Sequence, residues 1–318
     1  MLNRYVIGID VGGTHTRIGQ ISASGEVLKN QMLKTADYGD ATTFLEHLIG
    51  VIKTMISDDT EGFLGIGMGA PSVNEQKQTI TYAANLNWDG SLDIIQVLSQ
   101  VFSVPVKLTN DANLLVLAHQ HFDDALLSDF FVVTLGTGVG AGICCNGSLL
   151  KGKEGFAGEL GHVIVKDSGR SCSCGRKGCL ETYVSATGMI RTVTSLIAEF
   201  NSYKGSLLDL PMSHLNAKMI TELALSGDEI AKRALILTGE ILGKALANMV
   251  ALFNPQHIYL AGGVTHADQL LLAPTRQSFY HHLLNVYPDQ ITIEKSKFDD
   301  HEGAILGASA LIWKLNEA

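Results

Sequence analysis

Cysteine is scarce in this 318-residue chain, and its five copies are an odd number, so a disulfide framework is not expected to hold it together. Proline is scarce too, 6 against 33 glycines. Those glycines fall in short clusters between apolar runs, which excludes a low-complexity chain and marks tight backbone turns. Basic residues are outnumbered 23 to 32, leaving a net charge of −9 and no basic patch, so a polyphosphate backbone would be repelled and nucleic acid is not an expected partner. Long hydrophobic runs are also missing. The apolar segment before Asp10 is too short for the core of a secretory signal, which points to the cytoplasm. The uncharged stretch from Phe130 to Leu150 is long enough to span a bilayer, but Gly136, Gly138, Gly140, Gly142, Asn146 and Gly147 break it, so no membrane association is expected. Apolar side chains are abundant, 46% of residues against 17% charged, which suffices for one or two cores and is too much for a disordered chain.

The β-branched run Tyr5-Val6-Ile7-Gly8-Ile9 leads into Asp10-Val11-Gly12-Gly13-Thr14 and then into alternation through Thr16, Ile18 and Ile21, a strand, a glycine turn and a second strand ending near Ser24-Gly25. The same layout returns from Phe130 to Ser148 around Gly136-Thr137-Gly138-Val139-Gly140, so two related lobes are expected. Helical periodicity covers Thr42 to Ile56 and Leu92 to Phe102, with strands at Leu64 to Met68 and Val106 to Leu108. Ser226-Gly227-Asp228-Glu229 has the form of a capping box ahead of a long helix that Asn254-Pro255 ends. His257 to Leu260 reads as a strand running into Ala261-Gly262-Gly263, and Glu302 to Leu315 as a terminal helix with Gly303 and Gly307 on a small-residue face. The sum is an α/β fold with mixed sheets.

Four clusters carry chemistry. Asp10 at a strand end, followed by Gly12, Gly13 and Thr14, lets backbone N–H groups approach phosphate oxygens and sets a carboxylate where Mg²⁺ would want one; an ordinary hairpin turn is the plainer explanation. The second loop, with Thr137 and Gly138, lacks the Lys-Ser/Thr end of a P-loop and runs into a strand rather than a helix, so it fits neither Walker A nor the dinucleotide fingerprint. Facing hairpins from two lobes could together hold a nucleotide's phosphates. Asn110-Asp111 follows the strand at Val106 to Leu108; Asp111 is either a helix cap or a carboxylate that accepts a hydroxyl proton in phosphoryl transfer.

The most specific pattern is Glu159-Leu160-Gly161-His162, nine residues, then Cys172-Ser173-Cys174 and Cys179-Leu180-Glu181. One His and three Cys suit a four-coordinate structural Zn²⁺ with no open position, unless the four are simply buried. Cys144 and Cys145 lie on an expected strand and read as core. Glu159 and Glu181 flank the cluster, either as solvated acids or as acceptors for the hydroxyls of a polyol, and His162 could serve both metal and hydroxyl through its two ring nitrogens.

With these residues in view, the chain resembles the ROK family of bacterial sugar kinases, within the actin, hexokinase and Hsp70 superfamily. Family motifs stand in family order: Asp10 to Thr14, Gly69-Ala70-Pro71, the loop Asn85-Leu86-Asn87-Trp88, Asn110-Asp111, the second glycine loop, and the His–Cys₃ pattern with its flanking glutamates. The resemblance implies two ribonuclease-H-like, actin-like ATPase lobes with a cleft between them: residues 1–111 with 299–318 as the smaller lobe, 112–298 as the larger. It implies ATP-dependent phosphorylation of the primary 6-hydroxyl of a hexose, with Asp111 as base and Asn85, Asn110, Glu159, His162 and Glu181 as hydroxyl contacts. Zinc would sit on His162, Cys172, Cys174 and Cys179. Asp10, Gly12, Gly13, Thr14, Thr137 and Gly138 would face phosphates and Mg²⁺, and Gly262 and Gly263 the adenosine. A homo-oligomer, dimer or tetramer, is implied.

Glucose leads the substrates, because family glucokinases often show an Asn-Leu-x-Trp loop and a sequence like Leu180-Glu181-Thr182-Tyr183. Allose, fructose, mannose, N-acetylmannosamine and N-acetylglucosamine stay open. Two positions depart from the family pattern: Pro71-Ser72-Val73-Asn74 stands for Pro-Gly-x-Val-Asp, and Ala261 for a third glycine. The family also contains sugar-responsive transcriptional repressors with an added DNA-binding segment, for which nine residues before Asp10 leave no room. An inactive sugar-binding protein would fit less well, given the intact Asp111 and phosphate loops. A redox or metal sensor would too, given the closed ligand set.

Overall fold

The computed structural model describes residues 4–57, 60–75, 77–80, 93–200, 203–208, 210–211, 214–287 and 291–316. The loop Asn85 to Trp88, and with it the expected sugar contact Asn85, lies outside them. The chain divides into two compact units: 1–126 with 149–157 and 298–318, and 127–148 with 158–297.

The first unit opens with strands β1 (Tyr5–Val11), β2 (Thr16–Ser22) and β3 (Val27–Leu33), then helix α1 (Ala41–Ile56) and strand β4 (Phe63–Ala70). A short hairpin of β5 (Val73–Asn74) and β6 (Thr79–Ile80), helix α2 (Ile94–Phe102), strand β7 (Val106–Asn110) and helix α3 (Leu114–Phe122) follow. The five long strands lie in the order β3-β2-β1-β4-β7. The first three form an antiparallel meander, and β4 and β7 join parallel to β1. β1 is buried almost throughout, as a parallel strand covered on both faces must be. β3, the edge strand, is mostly open and polar at Lys29, Asn30 and Gln31, and for that reason its apolar signal is too faint to expect from sequence. α1 begins where the Asp40 carboxylate accepts the Thr43 N–H at 2.8 Å, and it buries Phe44, Leu45, Leu48, Ile52 and Met55 on one stripe against the sheet.

The second unit holds β8 (Phe130–Leu135), β9 (Val139–Cys145), β10 (Ser148–Leu149), helices α4 (Glu181–Val184), α5 (Ala186–Glu199), α6 (Ala217–Leu225) and α7 (Glu229–Phe253), strand β11 (His257–Ala261), α8 (Gln269–His282) and β12 (Thr292–Lys295). Its sheet order, β10-β9-β8-β11-β12, repeats the first unit's plan of a hairpin extended by parallel strands. Cys144 on β9 is buried core, while Cys145 is only half-buried. The expected capping box at Ser226 is corrected. Ser226 closes α6, its hydroxyl donating to the Leu223 carbonyl, and Gly227 at φ 105° turns the chain so that Asp228 caps α7 by accepting the Ala231 N–H at 2.9 Å. α7 is, among the described residues, the one helix long and apolar enough to cross a membrane, yet Leu235, Leu242, Leu246 and Val250 on it are buried within this unit.

The chain returns to the first unit in α9 (Asp300–Asn316). The expected small-residue face is real, and it works through backbone contact. A Cβ on Gly8 of β1 would lie 2.0 Å from the Ile305 carbonyl oxygen, one on Gly67 of β4 1.8 Å from that of Ala308, and one on Gly307 1.8 Å from that of Leu114 in α3. The helix therefore lies flat on the central strands and fixes α3 beside it. This packing groups 112–126 with the first unit, whereas the family resemblance implies a boundary at 111.

Gly307→Ala is accordingly expected to cost about 3 kcal/mol of unfolding free energy, because backbone must move to admit the methyl group. Gly50→Ala, in exposed α1 with nothing within 4 Å of the new atom, is expected to gain about 0.5–1 kcal/mol. Urea unfolding of the two variants measures both.

Candidate functional site

Ligands of open α/β sheets gather beyond the carboxyl ends of parallel strands, and in the first unit those ends carry the expected residues. Register sets Asp10 beside Gly69 and Gly69 beside Thr109, with Asn110 and Asp111 next along the chain. Gly12 closes the first glycine turn by donating its N–H to the His15 carbonyl at 3.0 Å, and the Thr14 carbonyl accepts from Ala36 N–H. Gly13 completes the turn between β1 and β2. Ser72, where the family pattern has glycine, adopts φ 54°, the left-handed conformation that glycine takes without strain.

Asp111 sits in a single 3-10 turn, Asp111–Asn113. The Ala112 N–H donates both to Asp111 Oδ1 at 2.8 Å and to Asn110 Oδ1 at 3.1 Å, so Asn110 is the cap of this turn and Asp111 is left facing outward. Withdrawal from bulk water nevertheless raises the Asp111 pKa, opposed by the turn's own N–H groups. Burial, then the Asp111 charge, lift Asp10 to about 6, with Arg17 pulling the other way from 4.0 Å. Two carboxylates whose charges act on one another, Asp10 largely buried and Asp111 exposed but crowded by the surrounding protein, create a deficit of positive charge that a divalent cation beside a phosphate would fill.

In the second unit the glycine loop after β8 is tied down along its length. Gly136 N–H donates to the Gly138 carbonyl, and Ala186 N–H to the Gly136 carbonyl at 2.8 Å. The Thr187 hydroxyl donates to the Thr137 carbonyl at 3.1 Å, and Val139 N–H to Glu181 Oε2, also at 3.1 Å. A cavity of about 550 Å³ opens beside it, lined by Gly136, Thr137, Asn216, Lys218, Gly263 and His266. That volume suits a nucleoside-sized ligand. Gly262 is at φ 96°, and a Cβ there would lie 2.4 Å from the Leu135 carbonyl oxygen, so only glycine fits. The structure thus brings Thr137 and Gly263 to one cavity. It adds Asn216, Lys218 and His266, which no sequence motif announced.

The fourth group is the His–Cys cluster. Ligand atoms of His162, Cys172, Cys174 and Cys179 all lie within 4.8 Å of one another, with Cys174 Sγ to Cys179 Sγ at 3.6 Å and Cys172 Sγ to His162 Nδ1 at 3.7 Å. Ligands about 2.3 Å from a tetrahedral ion stand roughly 3.8 Å apart, so the donor set fits a four-coordinate metal. Donors from Arg176, backbone and guanidinium, hold the Cys174 thiol down at about 6, while burial pushes Cys179 up to about 12. Around the cluster, His162 Nε2 is 3.9 Å from Glu159 Oε2, and Glu181 Oε1 is 3.9 Å from Cys172 Sγ. Glu159 and Glu181 therefore both adjoin the cluster, and Glu181 also reaches the glycine loop. Arg170, which sequence reasoning missed, braces this region: its guanidinium donates to the carbonyls of Thr182 and Gly188 and lies 4.7 Å over the Tyr183 ring.

A model of the ROK family matches residues 6–314 of this chain. The glucokinase of Halalkalibacterium halodurans is 31% identical, over 96% of this chain and 94% of that protein. The xylose repressor of Caldicellulosiruptor bescii is 28% identical, over 96% of this chain and 77% of the repressor. A solved ROK family glucokinase from Streptomyces griseus, in complex with glucose and AMPPNP, superposes with a TM-score of 0.78 at 28% identity, over 98% of this chain and 99% of that one.

The Asp10 carboxyl gives a pH signature. Between its ordinary 3.8 and about 6 the folded chain keeps a proton that the unfolded chain releases, so stability falls as pH rises through this window, by up to about 2–3 kcal/mol. Asp10→Asn is expected to flatten that fall and to make the cation-free protein more stable at pH 7.5. Urea midpoints at pH 4.5 and 7.5 test it.

Proposed function

The chain belongs to the ROK family, and from that premise we propose that it is an ATP-dependent sugar kinase that phosphorylates the primary 6-hydroxyl of a hexose, glucose first among the candidates. The observation that carries the reading is the pair Asp10 and Asp111 at the ends of strands in one sheet, one beside a glycine turn and the other turned outward. Similarity to glucokinases, and to one solved with glucose and AMPPNP, supports the choice of sugar and nucleotide.

Asp111 accepts the hydroxyl proton as the new P–O bond forms. Its pKa, raised by desolvation, makes it a better base than an ordinary aspartate. Mg²⁺, when bound, neutralises the phosphate charge, and Asp10 would hold it. The backbone of Gly12, Gly13 and Thr14 faces the phosphates. Thr137 and Gly138 do so from the second loop, and the cavity at Gly263 takes the adenosine. Asn85, Asn110, Glu159, His162 and Glu181 contact the sugar's other hydroxyls. Zn²⁺ on His162, Cys172, Cys174 and Cys179 would fix Glu159 and Glu181 in place at little ordering cost.

A sugar-responsive repressor is the second reading, favoured by the similarity to the xylose repressor. Sugar-dependent ADP release, screened over hexoses and N-acetylhexosamines and ranked by kcat/KM, supports the kinase. Tight, salt-sensitive DNA binding without turnover would support the repressor. Within the kinase reading, Asp111→Asn is expected to lower kcat about 10²- to 10⁴-fold with ATP affinity unchanged; equal activity removes Asp111 from the role. Cys174→Ser is expected to lose zinc by elemental analysis and to raise KM for sugar, and a zinc-free variant with parental KM would break that link.

A further inference from the structure

The β5–β6 hairpin carries two side chains that the reaction as described does not use, and both reach β7. Gln78 behaves like a length of strand: its Nε2 donates to the Leu108 carbonyl at 2.9 Å, and its Oε1 accepts the Leu108 N–H at 2.8 Å. Glu75 goes one step further along β7. Its Oε1 accepts from the Thr109 hydroxyl, from the Asn110 N–H at 3.4 Å and from Asn113 Nδ2 at 3.2 Å. Asn113 Nδ2 also reaches the Thr109 hydroxyl at 3.3 Å, and both residues are buried. The other oxygen, Oε2, takes the Lys151 ammonium at 2.7 Å. Only 5% of the Glu75 side chain is exposed.

A buried carboxylate is costly unless it is compensated, and here Oε1 has three donors while Oε2, with no hydrogen bond of its own among the described residues, has the charge of Lys151. The matching has a direction. The three donors on Oε1 come from residues 109, 110 and 113, which bracket Asp111 on both sides. A lone 3-10 turn is short and poorly hydrogen-bonded, so by itself it would hold Asp111 loosely. General-base catalysis tolerates little of that, since a displacement of about 1 Å can cost about 10²-fold in rate.

The geometry points to Glu75 as a positioning residue for Asp111, acting by pinning the β7-to-α3 turn through one carboxylate oxygen while Lys151 balances the charge on the other. Its effect on rate rests on the kinase reading. Its hold on the turn does not.

The experiment compares Glu75→Ala with Glu75→Gln, which keeps a carbonyl oxygen for the same donors. Glu75→Ala is expected to lower kcat about 10- to 100-fold with KM for ATP within about two-fold, and to speed amide hydrogen exchange at residues 110–113 but not in β1 and β4. Glu75→Gln is expected to stay within about five-fold of the parent with slow exchange. Parental kcat and parental exchange in Glu75→Ala overturn the assignment, as does a Gln variant as impaired as the Ala variant. If Glu75→Ala does not fold, Thr109→Val removes one of the three donors at nearly constant shape and is read the same way, with a loss of about three- to ten-fold expected and none overturning. If the parent shows no sugar-dependent turnover, the kinase reading fails, and exchange alone decides: faster exchange confined to 110–113 upholds Glu75's hold, and unchanged exchange refutes it.

Discussion

The first unit depends on a helix whose backbone, and not only its apolar side chains, touches the sheet. Where α9 crosses β1 and β4, Gly8 and Gly67 leave no room for even a methyl group beneath the Ile305 and Ala308 carbonyls, and Gly307 meets Leu114 in the same way. Close-packed interiors do not yield, so these contacts fix the heights of the two central strands and of α3 relative to one another. Asp10 sits two residues beyond Gly8 on β1, and Asp111 lies three residues before Leu114. The positions of the two carboxylates are thus set by glycines remote from any chemistry.

The carboxylate pair runs against stability. Burial raises both acids, and the Asp111 charge raises Asp10 further, a cost that a well-folded but inert sheet would have no reason to carry. Functional sites hold such unfavourable charge when a ligand supplies the compensating one. The second unit shows the opposite strategy. Its glycine loop is tied at Gly136, Thr137 and Val139 by α4 and α5, and the His–Cys knot adjoins the start of α4 through Glu181. A loop tied in this way loses little freedom on meeting a phosphate, and so binding costs less.

Much of this was legible from local pattern. The two glycine-turned hairpins, the His–Cys₃ spacing and the outward aspartate carry signatures that need only a few neighbouring residues, because turn chemistry and the gathering of closely spaced thiols are short-range constraints. What was not legible has a common cause. β3 is an edge strand with polar residues on its open side, so its periodicity fades. The Ser226 box was displaced because Gly227 turns the chain and Asp228, nearer the helix, takes the cap. Glu75, Gln78, Lys151 and Arg170 reach partners 30 or more residues away, or carbonyls in another element, and no local motif encodes such contacts.

The family, the kinds of side chain available for chemistry and the strand–turn units that present them could be read before any folding, because each is written in residues close along the chain. It took the packed chain to bring the Asp111 charge to Asp10, to gather four potential ligand atoms within 4.8 Å, and to set one oxygen of Glu75 against both flanks of the Asp111 turn. Charge coupling, coordination distance and shared acceptors depend on separations in space. The order of the chain fixes those only after strands have paired and helices have packed.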